Sequence, residues 1–219
     1  MKQLLTVGLL VGIMATAFGQ TSSDPAAKKI LDGVSAKFKT FKAVQASFTL
    51  KIEDGKGKIQ GTQKGTVSMK GLKYHASLSG KENKEIFCDG TTTWTYDKAA
   101  NEATITKVDP TTKTITPQSL LTNFYDKDFL YKLNGEKKEG GKTLQEIELT
   151  PFDKTKSFHK VYVYVDKAQQ IIYSAKILDN NGNKYMYTVN TLNGKAIVND
   201  QLFIFDKSKY PGVEEVDLR

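Results

Sequence analysis

The stretch Cys88-Asp89-Gly90-Thr91-Thr92-Thr93-Trp94-Thr95-Tyr96 decides the fold. An Asp-Gly pair between two runs of alternating polarity marks a tight hairpin, because Gly supplies the positive φ that such a connection needs. A strand ending at Cys88 therefore turns back at Asp89-Gly90, and the returning strand carries the single Trp, Trp94, and then Tyr96. Side chains two apart leave the same face of a pleated sheet, so one face of this strand is aromatic and the other is threonine and aspartate. The rings fill either an ordinary β core or one wall of a ligand cavity.

The same period of two recurs on both sides of the hairpin. Val44, Ala46, Phe48, Leu50 and Ile52 alternate with Gln45, Ser47, Thr49 and Lys51. Val67 and Met69 share one face of a second strand, and Leu72, Tyr74, Ala76 and Leu78 oppose Lys73, His75, Ser77 and Ser79 in a third. After the Trp94 strand, Glu102 to Lys107 alternates with Ala103 and Ile105 inward, and later strands read as Leu144 to Thr150, Lys160 to Val165, Ile171 to Leu178, Lys184 to Thr191 and Gln201 to Phe205. Asp179-Asn180-Asn181-Gly182-Asn183 is a turn cluster between two of them.

Only two segments have helical spacing. Ser23-Asp24-Pro25 supplies a capping side chain and a first-turn Pro, after which Ala27, Ile30, Leu31, Val34, Phe38 and Phe41 recur on one face. Pro117 opens the second, in which Leu120, Leu121, Phe124, Tyr125, Phe129 and Leu130 leave little polar surface, so it must lie on something apolar. About ten strands in hairpin succession, with no alternation of strand and helix, predict one large antiparallel sheet that curls and offers a concave face.

The 219 residues suit a single domain that buries roughly 70% of its unfolded-chain surface. The formal charge is +8, yet the one Arg is Arg219. Readers of nucleic acid depend on the bidentate guanidinium fork, so no nucleic-acid partner is expected and a lysine-studded solvated surface is. Met1-Lys2-Gln3, the apolar run Leu4 to Ala15 and the small residues around Ala17-Phe18-Gly19 form a cleavable secretory signal over residues 1–19, leaving 20–219 as one domain exported across the cytoplasmic membrane. The lone mature thiol, Cys88, excludes an internal disulfide and reads as a small buried hydrophobe. His75, on the polar face of its strand, reads as solvated. Spaced far from His159, it builds no zinc motif, so no metal or other cofactor is expected. The chain has no Gly-x-Ser-x-Gly elbow, and no catalytic residues are assigned.

Three motifs, in order, resemble one family. Phe41-Lys42-Ala43-Val44-Gln45-Ala46-Ser47-Phe48-Thr49 after an amphipathic helix resembles the opening strand of the outer-membrane lipoprotein carrier proteins, the LolA family. Asp89-Gly90 with Trp94 and Tyr96 is similar to its Asp-Gly-x-x-x-Trp-x-Tyr hairpin, and Phe203-Ile204-Phe205 with Pro211-Gly212-Val213 to its terminal pattern.

The resemblance implies a mainly β (α+β) fold: an incomplete, strongly curved antiparallel β-barrel of about ten or eleven strands with a lid of short α-helices. It also implies a monomeric, non-enzymatic periplasmic chaperone that shields the acyl chains of lipoproteins between an inner-membrane lipoprotein-releasing transporter and an outer-membrane receptor. The cavity is expected to be lined by Phe48, Leu50, Val67, Met69, Tyr74, Trp94 and Tyr96. Its lid is expected to comprise Phe38, Phe41, Leu120, Leu121 and Phe124. Three chains of roughly sixteen carbons represent on the order of 30–40 kcal/mol of exposure to hide from water. Where the family has an Arg-Pro pair whose Arg latches the lid, this sequence has Met69-Lys70-Gly71, and Lys70 offers only a point charge there. A lipid- or lipoprotein-sensing regulatory module on the same fold is the alternative reading.

Overall fold

The structure is a computed structural model and describes residues 23–80, 83–108 and 125–219. The signal segment and the lid residues Leu120, Leu121 and Phe124 lie outside the described residues. Helix α1 (Pro25–Lys39) starts where the cap predicts: the Asp24 carboxylate accepts from the Ala26 N–H at 2.8 Å. The same carboxylate accepts from the Leu133 N–H at 3.0 Å, which ties the helix start to the sheet. Ala27, Leu31, Val34, Ser35 and Phe38 are its buried stripe. Full burial of an aliphatic or aromatic side chain is worth about 1.5–3 kcal/mol, so the stripe rather than helix propensity holds α1 in place.

Twelve strands follow: β1 (Val44–Glu53), β2 (Ile59–Lys70), β3 (Lys73–Ser79), β4 (Lys84–Cys88), β5 (Thr92–Asp97), β6 (Glu102–Lys107), β7 (Phe129–Glu139), β8 (Lys142–Pro151), β9 (Phe158–Asp166), β10 (Ile171–Asp179), β11 (Lys184–Asn193) and β12 (Glu214–Asp217). They form one open sheet in the order β12-β6-β5-β4-β3-β2-β1-β11-β10-β9-β8-β7. The pairings are antiparallel except that of β12 with β6. The sheet curls far enough for Val67 and Ala76 from one half to join Ile147, Val161 and Val163 from the other in one core beneath α1. This is the expected half-barrel, with β7 and β12 as its edge strands among the described residues.

Two expectations at the element level are corrected. Phe129 and Leu130 begin β7 rather than continue a helix, and among the described residues the helical turn α2 covers Tyr125–Asp128. Gln201 to Phe205 is not a strand: Asn199 caps a 3₁₀ turn over Asp200–Phe203, its side chain accepting from the Gln201 N–H at 3.0 Å.

Register decides which side chains share a face. Val67, Ala76 and Ile86 stand opposite one another across β2, β3 and β4, and all belong to the core under α1, which defines the inner face. Phe87, Trp94 and Ile105 stand opposite one another across β4, β5 and β6. They are one residue out of step with Ile86 and therefore leave by the outer face.

Candidate functional site

An apolar cavity of about 250 Å³ lies on the inner face. One wall is Val44, Ala46 and Phe48 of β1 with Val67 and Met69 of β2, continued by Ala76, Leu78 and Ile86. The facing wall comes from β10 and β11, through Ile172, Ala175, Ile177, Tyr187, Val189 and Leu192, and Phe38 of α1 reaches in from above. Among the described residues, Ser174 and the hydroxyl of Tyr187 are the polar groups of the lining, which holds no carboxylate, imidazole or ammonium group.

Phe48 has room because its cross-strand partner is Gly65: a Cβ there would sit 2.3 Å from the ring. Gly194 serves Phe41 in the same way, at 2.4 Å, and Phe41 meets Phe38 edge-on with centroids 5.4 Å apart. Two glycines thus let aromatic rings lie flat on the sheet at the cavity's edge.

Of the residues expected at the site, Phe48, Val67, Met69 and Phe38 are brought together around this cavity. Leu50 is buried two residues beyond Phe48 but is not part of the lining. Tyr74 is buried on the inner face between Met69 and Cys88, where desolvation pushes its hydroxyl up to about 12 despite a hydrogen bond with Thr93. It packs in the surrounding core and not on the lining.

Trp94 and Tyr96 are a correction. They leave the outer face and pack with Phe87, Ala103, Phe205, Tyr210 and Val213 in a second core. The inner face at those positions belongs instead to Thr95 and Thr104, which stand in line with Ile86. The β10 and β11 wall is absent from the residues expected at the site, although alternation marks both strands. Nothing in the sequence alone says that β11 returns to pair with β1.

The second core has a polar frame. Tyr96 donates to Asn101 Oδ1 at 3.0 Å, and Asn101 Nδ2 donates to the Pro211 carbonyl at 3.3 Å. Tyr210 donates to Glu85 Oε2 at 3.1 Å, and its hydroxyl pKa is raised, first by burial and then by that carboxylate. His75 is corrected as well: it is not solvated but stacks on Phe87 at 4.4 Å, with Nε2 3.3 Å from Glu85 Oε2. Cys88 is buried, as read from the sequence.

Lys70, at the place of the family's lid latch, reaches the C-terminal segment instead. Its Nζ lies 2.6 Å from Asp200 Oδ1, and Lys73 Nζ lies 2.7 Å from Oδ2. The two ammonium groups hold the Asp200 carboxyl down at about 2. Since the folded-state pKa lies below the ordinary aspartate value of about 3.9, the contribution of this link is complete above pH ~4 and is lost as pH falls through about 2. In an acid titration followed by Trp94 fluorescence, Lys70→Gln/Lys73→Gln should therefore release the C-terminal segment at a higher pH than the parent. Superimposable curves would mean that the ion pairs hold nothing.

Among the described residues there is no cluster of three or more His, Cys, Asp or Glu placed to hold a metal ion, and no helix is long and apolar enough to cross a membrane. The family model for the outer membrane lipoprotein carrier protein LolA matches residues 39–206. No curated protein matches the chain.

Among solved structures, an uncharacterized conserved protein from Thermus thermophilus is similar with a TM-score of 0.59 at 13% identity, over 88% of this chain and 99% of that one. A LolA superfamily protein from Nitrosomonas europaea aligns with a TM-score of 0.45 at 11% identity, over 82% of this chain and 97% of that one. The MucA/MucB complex of Pseudomonas aeruginosa aligns with a TM-score of 0.49 at 15% identity, over 82% of this chain and 61% of that one.

Proposed function

This chain belongs to the family of the outer membrane lipoprotein carrier protein LolA, and from that premise we propose that its inner cavity receives the acyl chains of lipoproteins in transit through the periplasm. The observation that carries the reading is the lining: two sheet walls and Phe38 of α1 present hydrocarbon and aromatic surface with only the hydroxyls of Ser174 and Tyr187 among the described residues. Such a surface favours an alkyl chain by about 0.8 kcal/mol per methylene removed from water. Among the described residues the lining places no carboxylate, imidazole or ammonium beside the Ser174 hydroxyl to activate it, which favours a carrier over an enzyme.

At about 250 Å³ the cavity is smaller than the ~300–1,000 Å³ of ordinary small-ligand sites. Cargo with several long chains therefore requires α1 to move outward from the sheet. The C-terminal end of the helix is the part suited to that, since Phe38 and Phe41 rest on the rim through ring contacts and Gly194, whereas Asp24, Lys28 and Asp32 tie its first turns to Leu133, Asp126 and Tyr125. In this reading the chain is exported by its signal segment, loads at an inner-membrane lipoprotein-releasing transporter and unloads at an outer-membrane receptor.

The test is native mass spectrometry of the mature protein purified from its own periplasm, with extraction and identification of whatever is bound. A co-purifying acylated lipoprotein is the expected result. Free fatty acid or phospholipid alone would instead favour a lipid-sensing role. An empty protein that also fails to extract lipoproteins from inner-membrane vesicles would sink the carrier reading.

A further inference from the structure

One rim of the half-barrel carries two of the most exposed apolar side chains among the described residues, Ile197 at 100% and Leu72 at 73%. Leu72 lies in the turn between β2 and β3, and Ile197 in the loop that leaves β11. The segments that carry them are tied to each other. The loop is pinned at its start by Gly194 beneath the Phe41 ring and at its end by Asp200, which bonds to Lys70 and Lys73, the residues that bracket the Leu72 turn.

The same rim collects cations. Lys37 and Lys39 end α1, Lys42 follows Phe41, and Lys195 follows Gly194. All four are exposed, and none takes part in an ion pair among the described residues. The cavity borders this rim, since Val44 lies two residues beyond Lys42 and Leu192 three residues before Lys195 in its lining. Fully solvated apolar tips among unpaired lysines do nothing for the fold. They match the headgroup layer of an anionic bilayer, where phosphates meet the ammonium groups and the tips reach the acyl boundary.

We propose that this rim docks the protein on anionic membrane surfaces, with Ile197 and Leu72 inserting and Lys37, Lys39, Lys42 and Lys195 pairing with lipid phosphates, so that the cavity meets the bilayer side-on at its edge. The docking does not rest on the cargo reading and is measured with empty protein.

The experiment is flotation of the mature protein with vesicles containing about 30% phosphatidylglycerol, against vesicles of phosphatidylcholine alone. Binding is expected to the anionic vesicles only, and to vanish at about 1 M salt, where the Debye length is about 3 Å. Lys42→Gln and Lys195→Gln should each weaken partition by about fivefold, and Ile197→Ser by about tenfold. Ile197 touches nothing that folding needs, so its variant should melt with the parent. Phe152→Ser is the control, since Phe152 is 58% exposed beyond the end of β8, at the opposite end of the sheet. Failure of the parent to float with anionic vesicles, as for a rim built for a protein partner, overturns the proposal. So does an equal loss in Ile197→Ser and Phe152→Ser.

Discussion

Truncating Phe205 to alanine is expected to destabilise the protein by about 3–5 kcal/mol and to leave ligand capture unchanged. Phe205 is 8% exposed, lies over Tyr210 with centroids 4.7 Å apart, and meets Phe87 at 5.6 Å and Tyr96 at 6.0 Å. Removing the ring leaves a hole that these three aromatics cannot fill without breaking the Tyr210–Glu85 and Tyr96–Asn101 hydrogen bonds. For a chain of this size the melting temperature should fall by roughly 10 °C. Circular dichroism melts give the stability, and binding of a fluorescent fatty acid well below the melt gives the capture. The cavity lies across the sheet from Phe205, so its affinity should hold within about twofold. A small loss of stability would mean that the C-terminal segment is laid loosely on the sheet. A large loss of binding in a folded variant would mean that the two faces are not separate.

That separation explains which parts of the molecule are legible in the sequence. The Asp89-Gly90 turn is: Gly90 has φ +100°, and Asp89 Oδ1 accepts from the N–H groups of Thr91 and Thr92. The strands on either side are legible too, because alternation is a local property. Alternation puts Trp94 and Tyr96 on one face, but it cannot say which face looks into a cavity when the sheet is covered on both. The covering here is Phe203 to Val213, more than a hundred residues downstream, and it encloses the aromatic side while threonines take the inner one. Of the residues that carry the family resemblance, Trp94, Tyr96, Phe205 and Val213 therefore build the outer core, whereas Val44, Ala46 and Phe48 line the inner cavity. The partial covering of His75 is hidden from the sequence for the same reason.

Phe129, Tyr131 and Leu133 have a period of two, as β7 requires, but the apolar residues before them fit a helical period and blur the boundary. For Gln201 to Phe205 the apolar run Leu202 to Phe205 suits a strand, but the cap signal in Asn199-Asp200 outweighs it.

Replacing Phe48 by aspartate is expected to weaken ligand capture at least about a hundredfold, while Trp94→Asp leaves it near the parent value. Phe48 is half-buried, on the cavity wall over Gly65, so the substitution puts a carboxylate where the proposed function places an acyl chain. In the empty protein that carboxylate can remain hydrated, which keeps the variant folded. Once a chain fills the cavity the water must leave, and stripping a carboxylate without a partner costs several kcal/mol. Each 1.4 kcal/mol is about a factor of ten in affinity, so even a partial penalty of ~3 kcal/mol gives the hundredfold loss. Trp94→Asp disturbs the outer core and should lower the melting temperature, but it sends its charge away from the cavity. Binding isotherms of both variants with one acylated peptide, read beside their melts, decide the matter. Equal weakening by Phe48→Asp and Trp94→Asp in folded protein would place the ligand somewhere other than the inner cavity. Loss with Phe48→Asp alone would place it against β1, between α1 and the β10 and β11 wall.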